Sequence, residues 1–189
     1  MEIRAVGRGN SGATNVFRIL GTRAGGCGLL ADGAKGWAAV CFVAQLLWGA
    51  GGAASGGQTL EWLRLGAGVA AILGHNYTCW LRFKGGKGIA TSAGVLLALV
   101  PLALLIALGV WIVVFALSRY VSLASICAAI ALPFAAGWRG ESKTLTVVIS
   151  ALAVLAIYKH KGNIQRLLNG TENRIGRRAP PPPDAPPKV

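Results

Sequence analysis

Carboxylates are scarce in this 189-residue chain: six Asp and Glu stand against nineteen Lys and Arg. No paired carboxylates, Ser-His-Asp set or His/Cys/Asp/Glu cluster can be read from the spacing, which removes the commonest hydrolytic and metal-assisted chemistries. Two histidines are too few for a dense metal site. The four cysteines (Cys27, Cys41, Cys79 and Cys127) are far apart and form no CxxC pair, so they read as small apolar residues in or near helices. No cleavable leader is expected from the residues given, since Met1 runs straight into charged and glycine-rich sequence. Charge of either sign is sparse: 13% of residues are charged, about half the roughly 25% of a soluble domain.

What fills the chain instead is apolar sequence, 54% of residues, with a mean hydropathy of +0.57. It comes in long blocks, the pattern of an all-α integral membrane protein with short polar connections. We read six apolar spans, at about 33–53, 63–80, 89–100, 102–118, 122–138 and 143–158. Thirty apolar residues run from 89 to 118, and Val100-Pro101 is the expected break, because an interior proline removes a hydrogen bond and clashes with the preceding turn. Each half is then short for a hydrocarbon layer of about 30 Å, and the turn is expected inside the bilayer, shielded by neighbouring helices.

The net charge of +13 would suggest nucleic acid in a soluble protein. Here the charges lie between apolar blocks, so no nucleic-acid partner is expected and membrane orientation accounts for them. With a turn at 101, sixteen of the nineteen basic residues fall on one side: five in residues 1–35, three in 82–87, Arg119, and seven after 158. The positive-inside bias makes that side cytoplasmic. The membrane domain is expected to cover 1–178, followed by a proline-rich disordered tail at 179–189.

Four polar segments share the cytoplasmic side. In GRGNSGATNVFRILG (7–21), a glycine-rich backbone runs into a helix start, which offers free N–H groups to an anion. Thr14 and Arg18 share a helix face there. In RFKGGKGIATS (82–92), two lysines flank a Gly-Gly pair. The P-loop pattern is not met, because Lys87 is followed by glycine and the flanks are apolar helices, but phosphate cradling by backbone N–H groups and lysine fits. RYVSLAS (119–125) places Ser122 and Ser125 one turn apart at a helix start, where simple capping is the alternative. KHKGNIQRLLNGTENRIG (159–176) carries His160 and Asn163, with Glu172 among arginines as a salt-bridge anchor. Taken alone, the segments also admit duller accounts: a flexible connector, orienting lysines, a structural histidine. Together they point to recognition of a phosphorylated anion beside the lipid.

In the order and spacing of GNSGATNVFR, GHNYTCWLRFKGGKGIAT, RYVSLAS and HKGNIQRLLNGTENRIG, the chain resembles the bacterial acyl-phosphate:glycerol-3-phosphate acyltransferase family up to about residue 176. That resemblance implies transfer of a fatty acyl group from acyl phosphate to the 1-position hydroxyl of glycerol 3-phosphate, giving lysophosphatidic acid in the first acylation of phospholipid synthesis. It implies no metal and no cofactor, a multi-pass protein of the bacterial inner membrane, and hand-over of acyl phosphate from a soluble phosphate acyltransferase. By analogy, Arg18, Lys87, His160 and Asn163 are the catalytic set. Substrate binding falls to Arg8, Asn10, Gly12, Thr14, Asn15, Lys84, Gly85, Gly86, Ser122 and Ser125, while Glu172 is structural.

The family pattern has seven spans, the first ahead of motif one; the chain carries six, and we expect the reading frame to begin upstream of Met1. Arg8 stands where the family has serine, so that it either binds phosphate bidentately or blocks the pocket. Thr78 replaces a frequent proline. Two other functions fit the same loops: a transporter or channel for a phosphorylated anion, and an inactive homologue acting as a scaffold.

Overall fold

The structure is a computed structural model and describes residues 13–50, 57–83 and 85–176. Among them helices are the only regular elements: α1 (Ala13–Ala38), a π-helical turn (Ala39–Val43), α2 (Ala44–Ala50), α3 (Gly57–Asn76), a 3-10 turn (Cys79–Leu81), α4 (Ile89–Leu99), α5 (Pro101–Ser118), α6 (Val121–Trp138), α7 (Lys143–Lys159) and α8 (Lys161–Leu168). The tail at 179–189 lies outside the described residues.

The helices overlie the six apolar blocks in order, but α1 starts at Ala13, about twenty residues ahead of the first block. Among the described residues three helices, or four counting one bent pair, are long and apolar enough to cross a membrane where the sequence predicts six spans. Leu20–Gly49, Pro101–Ser118 and Val121–Trp138 are each long and apolar enough to cross a membrane. Lys143–Lys159 qualifies together with Lys161–Leu168, across a 55° bend. The break at Val100-Pro101 is present: Val100 leaves the helical region at φ −142°, ψ 64°, and Pro101 opens α5, the position where its missing N–H costs nothing. The halves are unequal, however. With eighteen apolar residues α5 can span on its own, contrary to the expectation that both halves are short, whereas the eleven residues of α4 reach only about 17 Å.

Short α4 is held by backbone contact. A Cβ on Gly94 would overlap the Gly33 carbonyl, and one on Gly36 would overlap the Thr91 carbonyl. Small residues at such crossings let helices pack where the surrounding lipid supplies no hydrophobic drive. Deeper in the bundle, Leu65, Leu96, Val100, Ala103, Leu132, Ala136 and Ile149 form a buried apolar cluster that joins α3, α4, α5, α6 and α7. A smaller cluster of Val40, Ile72 and Val95 closes the side towards α1.

Helix ends gather the polar residues. α5 stops at Arg119, whose φ of 60° is left-handed. After Asn169 the chain doubles back over the α5–α6 turn, where the Ile175 amide donates to the Arg119 carbonyl at 2.9 Å. The C-terminal end of α3, the 85–88 loop, the α5–α6 turn and the α7–α8 junction therefore meet at one end of the bundle.

Candidate active site

That end opens into a cavity of about 1000 Å³. Lys87, Ser122, His160, Asn163, Arg166 and Glu172 line its polar part, and mainly apolar side chains of α1, α4, α5, α6 and α7, among them Leu29, Leu30 and Trp37, line most of the rest. One end thus suits an anion and the other a hydrocarbon chain.

Asn163 is the hub on the α6–α8 side. The Lys87 Nζ donates to its Oδ1 at 2.5 Å, and its Nδ2 donates to Glu172 Oε1 at 2.8 Å. Glu172 also accepts from Ser122 Oγ at 3.1 Å and from Arg166 Nε at 2.7 Å. The Asn163 amide orientation follows from this chain, since Lys87 can only donate and Glu172 can only accept. His160 is buried, and its Nδ1 donates to the Ala156 carbonyl at 2.8 Å. Its Nε2 therefore carries the lone pair.

Burial shapes the electrostatics. It pulls the Lys87 ammonium down to about 8, against the opposing pull of Glu172. Burial, reinforced by the Lys87 charge, takes His160 down to about 4, so the imidazole is neutral at pH 7. For Glu172, burial works to raise the carboxyl, but the hydrogen bonds from Asn163, Arg166 and Ser122 outweigh it and hold it below its ordinary value.

The 85–88 loop rests on the end of α3. The Gly85 amide donates to the Asn76 carbonyl at 3.2 Å, and Lys159 Nζ donates to the same oxygen at 3.1 Å. Glycine is required twice over at Gly88: its φ is +75°, and a Cβ would overlap Asn76 Oδ1. Gly85 and Gly86 are constrained by contact alone, against the carbonyl and the imidazole of His75.

Of the residues singled out from the sequence, the structure brings together Lys87, Ser122, Ser125, His160, Asn163 and Glu172 around this cavity, with Gly85 and Gly86 against α3 behind Lys87. Ser125 Oγ donates to the Val121 carbonyl at 2.8 Å and accepts from Trp111 Nε1 at 3.1 Å. Thr14, Asn15 and Arg18 lie in the first turns of α1, where the backbone alone is described. Arg8, Asn10, Gly12 and Lys84 lie outside the described residues. Sequence reasoning passed over Asp32, Lys35, His75, Asn76 and Trp111. The pair His75-Asn76 carried a signal, as polar residues at the end of an apolar helix just ahead of the glycine loop. Among the described residues no group of three or more His, Cys, Asp or Glu could hold a metal ion.

Comparison with known proteins gives a consistent result. A model of the family described as glycerol-3-phosphate acyltransferase matches residues 1–170. The glycerol-3-phosphate acyltransferase of Desulforudis audaxviator (strain MP104C) is 48% identical over 178 residues, covering 94% of this chain and 84% of the relative. That of Geobacter sulfurreducens (strain ATCC 51573 / DSM 12127 / PCA) is 44% identical over 175 residues, covering 93% and 84%. The fold is similar to the crystal structure of PlsY (YgiH), an integral membrane glycerol 3-phosphate acyltransferase, in its glycerol 3-phosphate form. The TM-score is 0.80 at 38% identity, covering 93% of this chain and 83% of that one. The lysophosphatidic acid form of PlsY matches with a TM-score of 0.75.

Proposed function

We propose, from the premise that the chain belongs to the glycerol-3-phosphate acyltransferase family, that it transfers a fatty acyl group from acyl phosphate to the 1-position hydroxyl of glycerol 3-phosphate. The products are lysophosphatidic acid and inorganic phosphate. The observation that carries this reading is the contact of Lys87 with Asn163, beside His160, where the polar part of the cavity gives way to its apolar part.

Lys87, with its amine pulled to about 8, is mostly charged at pH 7 and offers a cation to a substrate phosphate. The glycine loop behind it adds backbone N–H groups. Neutral His160 presents Nε2 as an acceptor for the glycerol hydroxyl, which orients an oxygen lone pair towards the acyl carbonyl. That oxygen bonds to the carbonyl carbon, the bond from carbon to the phosphate oxygen breaks, and the departing phosphate takes the hydroxyl proton. A histidine with a pKa of about 4 is too weak a base to keep that proton. The leaving group does so without help. The acyl chain lies along the leucine and alanine wall, motif one and the serines Ser122 and Ser125 take the acyl-phosphate phosphate, and Arg18 joins Lys87 at glycerol 3-phosphate.

The expected setting is the bacterial inner membrane, with the polar end cytoplasmic so that a soluble phosphate acyltransferase can hand over acyl phosphate. Purified protein given acyl phosphate and labelled glycerol 3-phosphate is expected to yield labelled lysophosphatidic acid. No product, from this chain or from one extended upstream, would refute the proposal. Uptake of label into liposomes without acylation would favour a transporter.

A further inference from the structure

Away from the Glu172 network, three side chains on α1 and α3 form a second polar cluster. Lys35 Nζ lies 2.5 Å from Asp32 Oδ1 and 2.7 Å from His75 Nδ1, while His75 Nδ1 is 3.4 Å from Asp32 Oδ1. A lysine ammonium only donates, so Nδ1 accepts and the neutral ring carries its proton on Nε2. Asp32 and His75 also line the cavity. The ring edge bearing Nε2 lies directly under Gly86: a Cβ there would meet three ring atoms of His75 before anything else. The Gly85 amide is tied to the Asn76 carbonyl one residue on.

We infer that His75, fixed by Lys35 and Asp32, is a positioning residue that sets the height of the Gly85–Gly88 loop and so places Lys87 for glycerol 3-phosphate. The effect on glycerol 3-phosphate rests on the proposed activity. The contact between imidazole and loop does not. Gly86 is absent from the positive-φ positions, so an alanine there is strained by His75 and not by its own backbone.

The pair is tested on the full chain in detergent by a double-mutant cycle of His75→Ala and Gly86→Ala, with His75→Asn as the conservative variant. His75→Ala is expected to raise the KM for glycerol 3-phosphate about tenfold, leaving kcat and the acyl-phosphate KM within about twofold. His75→Asn, which keeps an acceptor for Lys35, recovers part of the loss. Gly86→Ala is expected to raise the same KM between about tenfold and a hundredfold beside His75 and to add little once position 75 is alanine. Additive losses, or a fall in kcat with KM unchanged, would overturn the inference. Hydrogen exchange tests the contact without substrate: the 85–88 amides should exchange faster in His75→Ala, and equal rates would overturn it even if the wild type proved inactive. An inactive wild type with the faster exchange would count against the activity alone.

Discussion

On the α6–α8 side of the site, Glu172 gathers hydrogen bonds from Ser122, Asn163 and Arg166, and Asn163 passes the connection on to Lys87. On the α1–α4 side, position is set mainly by shape. Gly36 and Gly94 allow backbones to touch, Gly85, Gly86 and Gly88 lie against the end of α3, and two buried atoms, Asn76 Oδ1 and Thr91 Oγ1, have no partner among the described residues. The wired side fixes the direction of donors and acceptors around the reacting groups. The shaped side fixes distance and tolerates a polar orphan so long as nothing protrudes. Substitution should therefore follow different rules on the two sides: loss of a hydrogen-bonding group is the costlier change on the first, and on the second any change of shape, a gained methyl at a glycine or loss of the His75 ring beneath the loop.

The largest effect is expected where the two sides meet. Lys87 belongs to the shaped loop but donates into the wired network. Lys87→Ala should lower kcat/KM by about a hundredfold to a thousandfold, as loss of one preorganised donor does. If, as proposed, the charged amine holds a substrate phosphate, then with a pKa of about 8 wild-type kcat/KM should fall as pH rises through that value. Lys87→Arg stays charged, so it should remove the alkaline fall whatever its maximum. A pH–rate profile with the fall retained in the arginine variant would break the link between this side chain and the substrate phosphate.

Next comes the hub of the wired side. The Glu172 side chain is only 8% exposed, so Glu172→Leu would strand Arg166, Asn163 and Ser122 together. Stability in detergent should drop by about 3 kcal/mol, the low end for a broken buried pair because Arg166 is partly solvated. Denaturant titration measures it. A loss below about 1 kcal/mol would show that the network orients groups without holding the helices.

His160 gives a smaller, pH-linked effect. Its folded pKa of about 4 lies below the unfolded value near 6.5, so the unfolded chain takes up the proton first. Its contribution is complete above about 6.5 and is lost as pH falls towards 4. Lowering the pH from 6.5 to 5 should cost about 1.5 kcal/mol, and His160→Gln should flatten that slope. Stability curves at the two pH values, wild type against variant, decide it.

How much of this could be read from the sequence divides along the same line. The helices from α3 to α7 were legible, because apolar blocks and one proline leave few other solutions in a membrane; the first two-thirds of α1 were not, since glycine and charge interrupt its apolar residues. The convergence of the polar loops was legible too, since Lys87, His160, Asn163 and Glu172 stand out against apolar surroundings and line one cavity. The shaped side was not. Glycines at Gly33, Gly36 and Gly94 look like any others until two backbones are seen in contact, and the Asp32–Lys35–His75 cluster joins residues forty apart in sequence. Trp111 was hidden by its company: an indole in an apolar helix gives no sign that its N–H reaches Ser125. Residue type announces chemistry; close approach needs coordinates.

The smallest effect should also have the opposite sign. Thr91 is fully buried in α4, its Oγ1 has no partner among the described residues, and its carbonyl is where Gly36 of α1 comes closest. A threonine in a helix usually returns its hydroxyl to the preceding turn, and here that bond is not made. Valine has almost the same shape, so Thr91→Val fills the same space and removes a hydroxyl whose desolvation nothing offsets. Stability should rise by about 1 kcal/mol, with acyl transfer unchanged. The matching change on the wired side, Ser122→Ala, removes a donor that Glu172 uses and should destabilise by a similar amount. If both substitutions destabilise, the Thr91 hydroxyl has a use beyond shape, and the division between the two sides fails at α4.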